Sequence, residues 1–439
     1  MIFDKNDILC PYRTTKSFLL ACCCPSGREL RYDGVRKYWD WGRKDMAEIR
    51  QLKAEEFDER MKLSQFAFQF QIPAEQMEKR RAAFHPDRHY GLFDEDGRLL
   101  SALLLIPYEA WVRGRKLKMG GVAAVASWPD ARRQGGVTRL LTHSFETMRR
   151  QGQSLSMLHP FSFPFYRKYG YEMTIERKRY TLDLKHLPPR RETPGTVQIV
   201  DKDIGLLNPV YEAYASRYDS TIVRTEEWWN NQVLSKPGLA AVYFDEAGRA
   251  QGYVLYEVAD KSMNVHEWIA LTDEARVALW SYAANHDSMI ERLKVTVPAD
   301  DALPFLVPDP RFKQELEPYF MSRIVDAEAF VAQYSFLRTG EAMEIDLTVE
   351  DAYAPWNDGA FRLRVDGAGA GMLEKLPEGV SPAAAGGVRC DIAALAALLV
   401  GGRKAGWLLE IGRLNGSREA AEALERVVPG QRPYLADFF

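Results

Sequence analysis

The stretch from Gly120 to Leu141, GGVAAVASWPDARRQGGVTRLL, gathers residue types that suit an anion. The apolar run from Val122 to Ala126 predicts a strand, Pro129 a turn, and the residues from about Val137 to Gln151 a helix. Arg132, Arg133, Gln134, Gly135 and Gly136 fall where that helix begins. The first N–H groups of a helix lack internal partners, and the helix dipole draws negative charge to that end. Two adjacent glycines let those groups approach a ligand with no Cβ in the way. Two arginines add charge, so the chemistry suited is diphosphate binding.

The pattern V-x-x-x-P-x-x-R-R-x-G, after a strand and before a helix, resembles the acetyl-CoA pyrophosphate loop of the GNAT N-acetyltransferase superfamily. It departs at Val137, where many members carry Gly or Ala. PFSFPFYRKYGYE, from Pro160 to Glu172, resembles the block after the fifth strand in the Eis (enhanced intracellular survival) branch. The resemblance runs from about Met46 to Phe439. It implies a splay between the fourth and fifth strands that admits acetyl-CoA, with backbone contacts at Val125, Ala126 and Ser127. It also implies phosphate contacts from Arg133, Gln134, Gly135, Gly136, Val137 and Thr138, and further cofactor contacts at Phe161 and Ser162.

Acetyl transfer to an amine requires a base for the ammonium, an acid for the departing thiolate, and an N–H donor for the carbonyl oxygen. Tyr166 matches the general acid of the Eis branch. Tyr169 and Tyr171 lie close by, and a buried tyrosine with a hydrogen-bonded tip is the ordinary alternative. RPYLADFF ends on two phenylalanines, which predicts a buried tail. Phe439 matches the C-terminal phenylalanine whose terminal carboxylate serves as base in Eis proteins; a tail that only packs is the alternative. An α-carboxyl with a reference pKa near ~3.5 is a weak base, so burial or a relaying water would have to assist. Eis-like relatives accept aminoglycosides, polyamines or lysine side chains and are commonly homohexameric, so the resemblance implies an amine acceptor and a homo-oligomer, a homohexamer, here. Glu172 and Asp437 could supply negative charge for a cationic acceptor, and His159 could touch it.

The elements that must position these groups follow from the whole chain. Its 439 residues exceed one ordinary core, and the net charge of −3 implies no attraction to nucleic acid or acidic lipid. No apolar run approaches the roughly 20 residues that span a bilayer. Cys10, Cys22, Cys23 and Cys24 crowd the start, Cys390 stands alone, and neither disulfide nor metal spacing results. These features predict a cytoplasmic protein with no metal, no nucleic-acid partner and no membrane partner. Residues 1–45 read as an unassigned extension, with Met46 near the natural start.

From Met46 the patterns predict a strand, two helices around the aromatic alternation FAFQFQI, and hairpins turning at Asp96-Gly97 and Arg113-Gly114. A strand is predicted from Arg179 to Leu184, and PPRRETP reads as a linker. FDEDGRLLSALLL from Phe93 and FDEAGRAQGYVLY from Phe244 are a faint repeat. In the second copy TDEARVAL replaces PDARRQGG, so it should hold no diphosphate. The chain is therefore expected to be α/β (α+β): two tandem GNAT-type acetyltransferase folds followed by a sterol-carrier-like α+β domain. The expected limits are 46–188 for the catalytic domain, 195–335 for the degenerate one and 337–439 for the third. A noncatalytic acetyl-CoA sensor or a lipid-binding protein is the competing function.

Overall fold

Period-two alternation and aspartate-capped turns build the first half of the chain into hairpins. The computed structural model describes residues 47–377, 379, 386–430 and 432–439; the extension at 1–45 lies outside the described residues. The first part runs β1 (Glu48–Gln51), α1 (Phe57–Phe68), α2 (Ala74–Ala82), β2 (His89–Phe93), β3 (Leu99–Val112), β4 (Arg115–Ser127), α3 (Gly136–Arg150), β5 (Leu155–Leu158), α4 (Phe163–Arg167) and β6 (Glu172–Asp183). The second runs β7 (Thr196–Val200), α5 (Ile204–Ala215), α6 (Glu226–Trp228), β8 (Leu239–Phe244), β9 (Ala250–Ala259), β10 (Ser262–Ala270), α7 (Asp273–Ala284), β11 (Arg292–Pro298) and β12 (Lys313–Ile324).

These strands form one twelve-stranded sheet, ordered β1-β2-β3-β4-β5-β12-β6-β11-β10-β9-β8-β7. The order is that of two like halves facing each other. In each half a hairpin turns on an aspartate: Asp94 Oδ1 accepts from the amides of Asp96 and Arg98, and Asp245 Oδ1 from those of Ala247 and Arg249. In each half one parallel strand pair, β4–β5 or β10–β11, holds for three residue pairs only. The faint sequence repeat is thus a structural one. The halves also exchange a strand: β12, from the second, separates β5 from β6, while β6 pairs with β11.

The strand β6 begins at Glu172, seven positions before the predicted start at Arg179. Its polar first half lacks strand-like hydrophobic patterning because neighbours neutralise it. Glu172 bonds Arg167 and Arg413, Glu176 bonds Arg403, and Arg177 bonds Glu317.

The third part comprises α8 (Ala327–Gln333), β13 (Met343–Glu350), β14 (Gly359–Val365), β15 (Gly371–Lys375), β16 (Val388–Asp391), α9 (Ile392–Leu399), α10 (Ala405–Glu410), β17 (Leu414–Gly416) and α11 (Arg418–Val427). Its five strands order as β15-β14-β13-β16-β17. Asp391 caps α9 by accepting from the Ala394 amide at 2.6 Å. Every residue of α9 is buried, and it packs against β6 and β12 of the large sheet. Among the described residues no helix is long and apolar enough to cross a membrane.

A buried arginine ties this part to the other two. Arg323 on β12 is fully buried, donates to Asp351 Oδ2 at 2.6 Å, and also donates to the Tyr169 carbonyl just beyond α4. Replacing Arg323 by Met is expected to cost about 3–5 kcal/mol, because Asp351 stays buried without its counter-charge. Denaturant titration of Arg323→Met, Asp351→Asn and the double variant checks this. The double variant should lose less than the sum of the singles.

Candidate active site

The parallel pairing of β4 with β5 is short: Met119 opposes Leu155, Gly120 opposes Ser156, Gly121 opposes Met157, and there it stops. Ser156 pins the last contacts. Its hydroxyl donates to the Gly120 carbonyl at 2.8 Å and shares a 2.8 Å hydrogen bond with the Tyr171 hydroxyl. Past Gly121 the two strands part, and β4 bulges against β3, where the register shifts between Ala102 and Leu104. Ala124 takes the left-handed conformation, φ +49°. A bulge turns the strand that carries it. Val125, Ala126 and Ser127 therefore lie on the part of β4 that β5 no longer accompanies.

The loop beyond them is open to a ligand. Arg132, Arg133, Gln134 and Gly135 are exposed, with φ +60° at Arg133 and +79° at Gly135. No side chain caps the start of α3 and no acidic residue occupies its first turn. Gly136 is buried: a Cβ there would come within 3.0 Å of both Leu92 and Ser101, so glycine lets the helix seat on β2 and β3. Val137 is half-buried behind it, and the Thr138 hydroxyl shares a 2.8 Å bond with that of Tyr169. The equivalent helix α7 differs in each respect. Thr272 caps it by accepting from the Ala275 amide at 3.1 Å, and Asp273 and Glu274 fill its first turn. The start of α3 presents its N–H groups and positive charge to an anion, whereas the capped, acidic first turn of α7 opposes one.

Three tyrosines surround the exit of β5, and their hydroxyls differ. Tyr171 is bonded to Ser156 and Tyr169 to Thr138. Among the described residues the Tyr166 hydroxyl has no hydrogen-bond partner. Its ring is buried, packed edge-on against Phe161 at 5.4 Å and Phe165 at 5.1 Å. Burial raises the Tyr166 phenol above its ordinary range, with Tyr171 and Tyr169 adding to the shift, and keeps it protonated. Phe161 is 70% exposed, and Ser162 precedes the first turn of α4.

The chain end reaches the same place from the opposite end of the sequence. The Phe439 ring lies against Tyr108 and Phe320, each at 4.9 Å between centroids. It also abuts Gly121, the last β4 residue paired with β5; a Cβ on Gly121 would fall 2.9 Å from it. Among the described residues the terminal carboxylate makes no ion pair. Asp437 anchors the tail: it accepts from Arg224 Nε at 3.1 Å and from Trp228 Nε1 at 2.8 Å, while its carbonyl accepts from the Tyr319 hydroxyl at 2.8 Å. Arg224 is 7% exposed and also holds Glu267 through two bonds, the longer 3.0 Å.

Family models describe an Acetyltransferase (GNAT) domain at residues 48–174, a second at 220–324, and a sterol carrier protein domain at 327–436. A solved structure from Enterococcus faecalis V583, a probable N-acyltransferase of unknown function, is 30% identical, with a TM-score of 0.81 over 90% of this chain and 100% of that one. An uncharacterized N-acetyltransferase of Streptomyces avermitilis is 26% identical over 81% of this chain and 89% of its own. N-acetyltransferase Eis of Mycobacterium tuberculosis is 25% identical over 44% of this chain and 52% of its own. The chain belongs to the Eis-like GNAT acetyltransferases.

Two residues offered as charges for an acceptor are spent elsewhere in this acetyltransferase. Glu172 is buried between Arg167, at 2.7 Å, and Arg413, at 2.8 Å. Burial opposes its ionisation, but those bonds outweigh it and hold the carboxyl below its ordinary range. Asp437 is the tail anchor. His159 packs against Tyr319, Phe320 and Phe438, and burial with Arg177 nearby keeps its ring neutral. Phe66, Phe68 and Phe70 are 49%, 47% and 37% exposed, so the aromatic alternation is not core packing. Sequence reasoning missed Arg60, Arg224 and Arg323, since a lone arginine carries no local signal of burial. A cleft of about 460 Å³ opens beside Tyr108, and Asp87 and Glu109 line it.

Replacing Tyr171 by Phe removes its bond to Ser156 and is expected to cost about 1 kcal/mol. Tyr166→Phe breaks no hydrogen bond and should leave the denaturation midpoint unchanged. Paired denaturant titrations compare the two. The Glu267 carboxyl is opposed by burial but held low by Arg224. Its contribution is thus complete above about pH 4.3 and is lost as pH falls through its lower folded pKa. Wild-type stability should therefore fall more steeply on acidification below about pH 4.3 than that of Glu267→Gln, as read from denaturant midpoints across that range.

Proposed function

We propose that this enzyme moves the acetyl group of acetyl-CoA to a primary amine on an aminoglycoside, a polyamine or a lysine side chain. The observation that carries the reading is the Tyr166 hydroxyl. Of three clustered phenols it is the one without a hydrogen-bond partner among the described residues, and its ring lies 6.0 Å from that of Tyr171, which bonds Ser156 on β5. A phenol kept protonated there can deliver its proton to the thiolate sulfur as the C–S bond breaks. The terminal carboxylate of Phe439 takes the ammonium proton, directly or through one water. Asp437, two residues upstream and bonded to Arg224 and Trp228, limits where that carboxylate can lie.

Cofactor groups follow the same geometry. Val125, Ala126 and Ser127 offer backbone partners to the pantetheine arm. Arg133, Gln134, Gly135, Gly136, Val137 and Thr138 form the diphosphate seat, and Phe161 and Ser162 close over the arm. The cleft beside Tyr108 is lined by Asp87 and Glu109 together with Arg88 and Lys118, so it offers charges of both signs to an acceptor. The proposed domain limits stay at 46–188, 195–335 and 337–439, with a cytoplasmic homohexamer as the proposed assembly. A lipid-binding or sensor role has less support: α9 spends the third domain's apolar surface on β6 and β12.

The decisive assay measures thiol release from acetyl-CoA with polyamines, aminoglycosides and lysine peptides. Wild type should turn over. Tyr166→Phe and a variant lacking Phe439 should each lose about 10²-fold or more in kcat, with acetyl-CoA affinity and stability preserved. Full turnover in either variant would remove that residue's role. Wild-type protein that binds no acetyl-CoA would overturn the whole reading.

A further inference from the structure

Arg60, on α1, is fully buried. Its Nη1 donates to Ser64 Oγ at 2.6 Å, its Nη2 to the Ala124 carbonyl at 2.7 Å, and its Nε faces His89 Nδ1 at 3.4 Å. Every one of these acceptors is uncharged. Among the described residues no carboxylate pairs with this guanidinium, whereas Arg224 and Arg323 each hold at least one. Burial lowers its pKa to about 10, which leaves it charged near neutrality. His89 beside it is held neutral, to about 3, by burial and by Arg60 itself. Placing an uncompensated cation in a core is costly, and a Met or Leu would fill the same space without that cost.

The place where the charge is directed gives it a use. Ala124 is the left-handed residue of the β4 bulge, a conformation that L-residues adopt only when something holds it. Its carbonyl and the N–H of Val125 belong to one peptide group. A cation on the carbonyl oxygen draws electron density through that group and makes the N–H a stronger donor. Val125 lies on the segment of β4 left open by β5.

We propose that Arg60 is a positioning residue that fixes the bulge at Ala124 and polarises the Ala124–Val125 peptide, so that the Val125 N–H stabilises the charge growing on the thioester carbonyl oxygen. The inference rests on the acetyl-transfer reading above. It adds an electrostatic device that acts from behind the strand without touching substrate.

The test uses the full chain with acetyl-CoA carrying ¹³C at its carbonyl, read by difference infrared spectroscopy beside steady-state kinetics. Wild type should lower the carbonyl stretch relative to free acetyl-CoA. Arg60→Met should return the stretch toward the free value and reduce kcat by about 10–100-fold, with KM for acetyl-CoA changing less than about threefold. Arg60→Lys should recover part of both. Should Arg60→Met fail to fold, Arg60→Gln, which can still bond Ser64, serves with the same expected outcome. A folded neutral variant with wild-type stretch and kcat overturns the inference and leaves the acetyl-transfer reading intact. Wild-type protein that binds no acetyl-CoA overturns both.

Discussion

The structure depends on one interrupted strand pairing. After three residue pairs β4 and β5 separate, and Ser156, the bulge at Ala124 and the Phe439 ring all lie at or beside that point. Two adjacent strands gain hydrogen bonds by staying together, so something must hold them apart. Here the bulge at Ala124 turns β4 and the Phe439 ring occupies the face of Gly121, while Ser156, bonded to Gly120, ties the strands together just before they part. Open backbone groups on β4 are the outcome, and the exposed start of α3 continues them toward solvent.

Three buried arginines maintain this arrangement, one for each movable piece. Arg60 holds the bulge, Arg323 holds the turn that follows α4, and Arg224 holds the tail. Two of them are neutralised by carboxylates from other parts of the chain, Asp351 and the pair Glu267 and Asp437. Such pairs add little net stability once desolvation is counted, but losing one partner is expensive. They therefore act as specific clamps. The second half contributes Arg224 and Glu267, which seat a tail that the third part delivers.

Local patterns were legible in the sequence, and distant pairings were not. The diphosphate loop, the Asp-capped hairpins and the block holding Tyr166 each lie within about twenty residues, where turn and capping chemistry act. Arg60 sits in FDERMK and reads as one more solvated helical charge; its partner Ala124 is 64 positions away. Arg224 and Asp437 are 213 positions apart, so Asp437 read as a free carboxylate. The first half of β6 was hidden for the same reason, because the arginines that neutralise its glutamates come largely from the third part. The motif match already singled out Tyr166 in the sequence; what it could not show is that the hydroxyls of Tyr169 and Tyr171 are bonded to Thr138 and Ser156.

The strand exchange bears on how the molecule is made. The gap's far wall, β5, is backed by β12, which is synthesised more than 150 positions later. A nascent chain emerging from the ribosome can pair β1 to β4 early, since those contacts are local. It cannot complete the sheet around β5 until β12 has emerged. Non-local pairing of this kind is slow and leaves strand edges exposed while it waits. The edge of β5 therefore stays open through the synthesis of everything between it and β12, and the far wall of the gap gains its backing late.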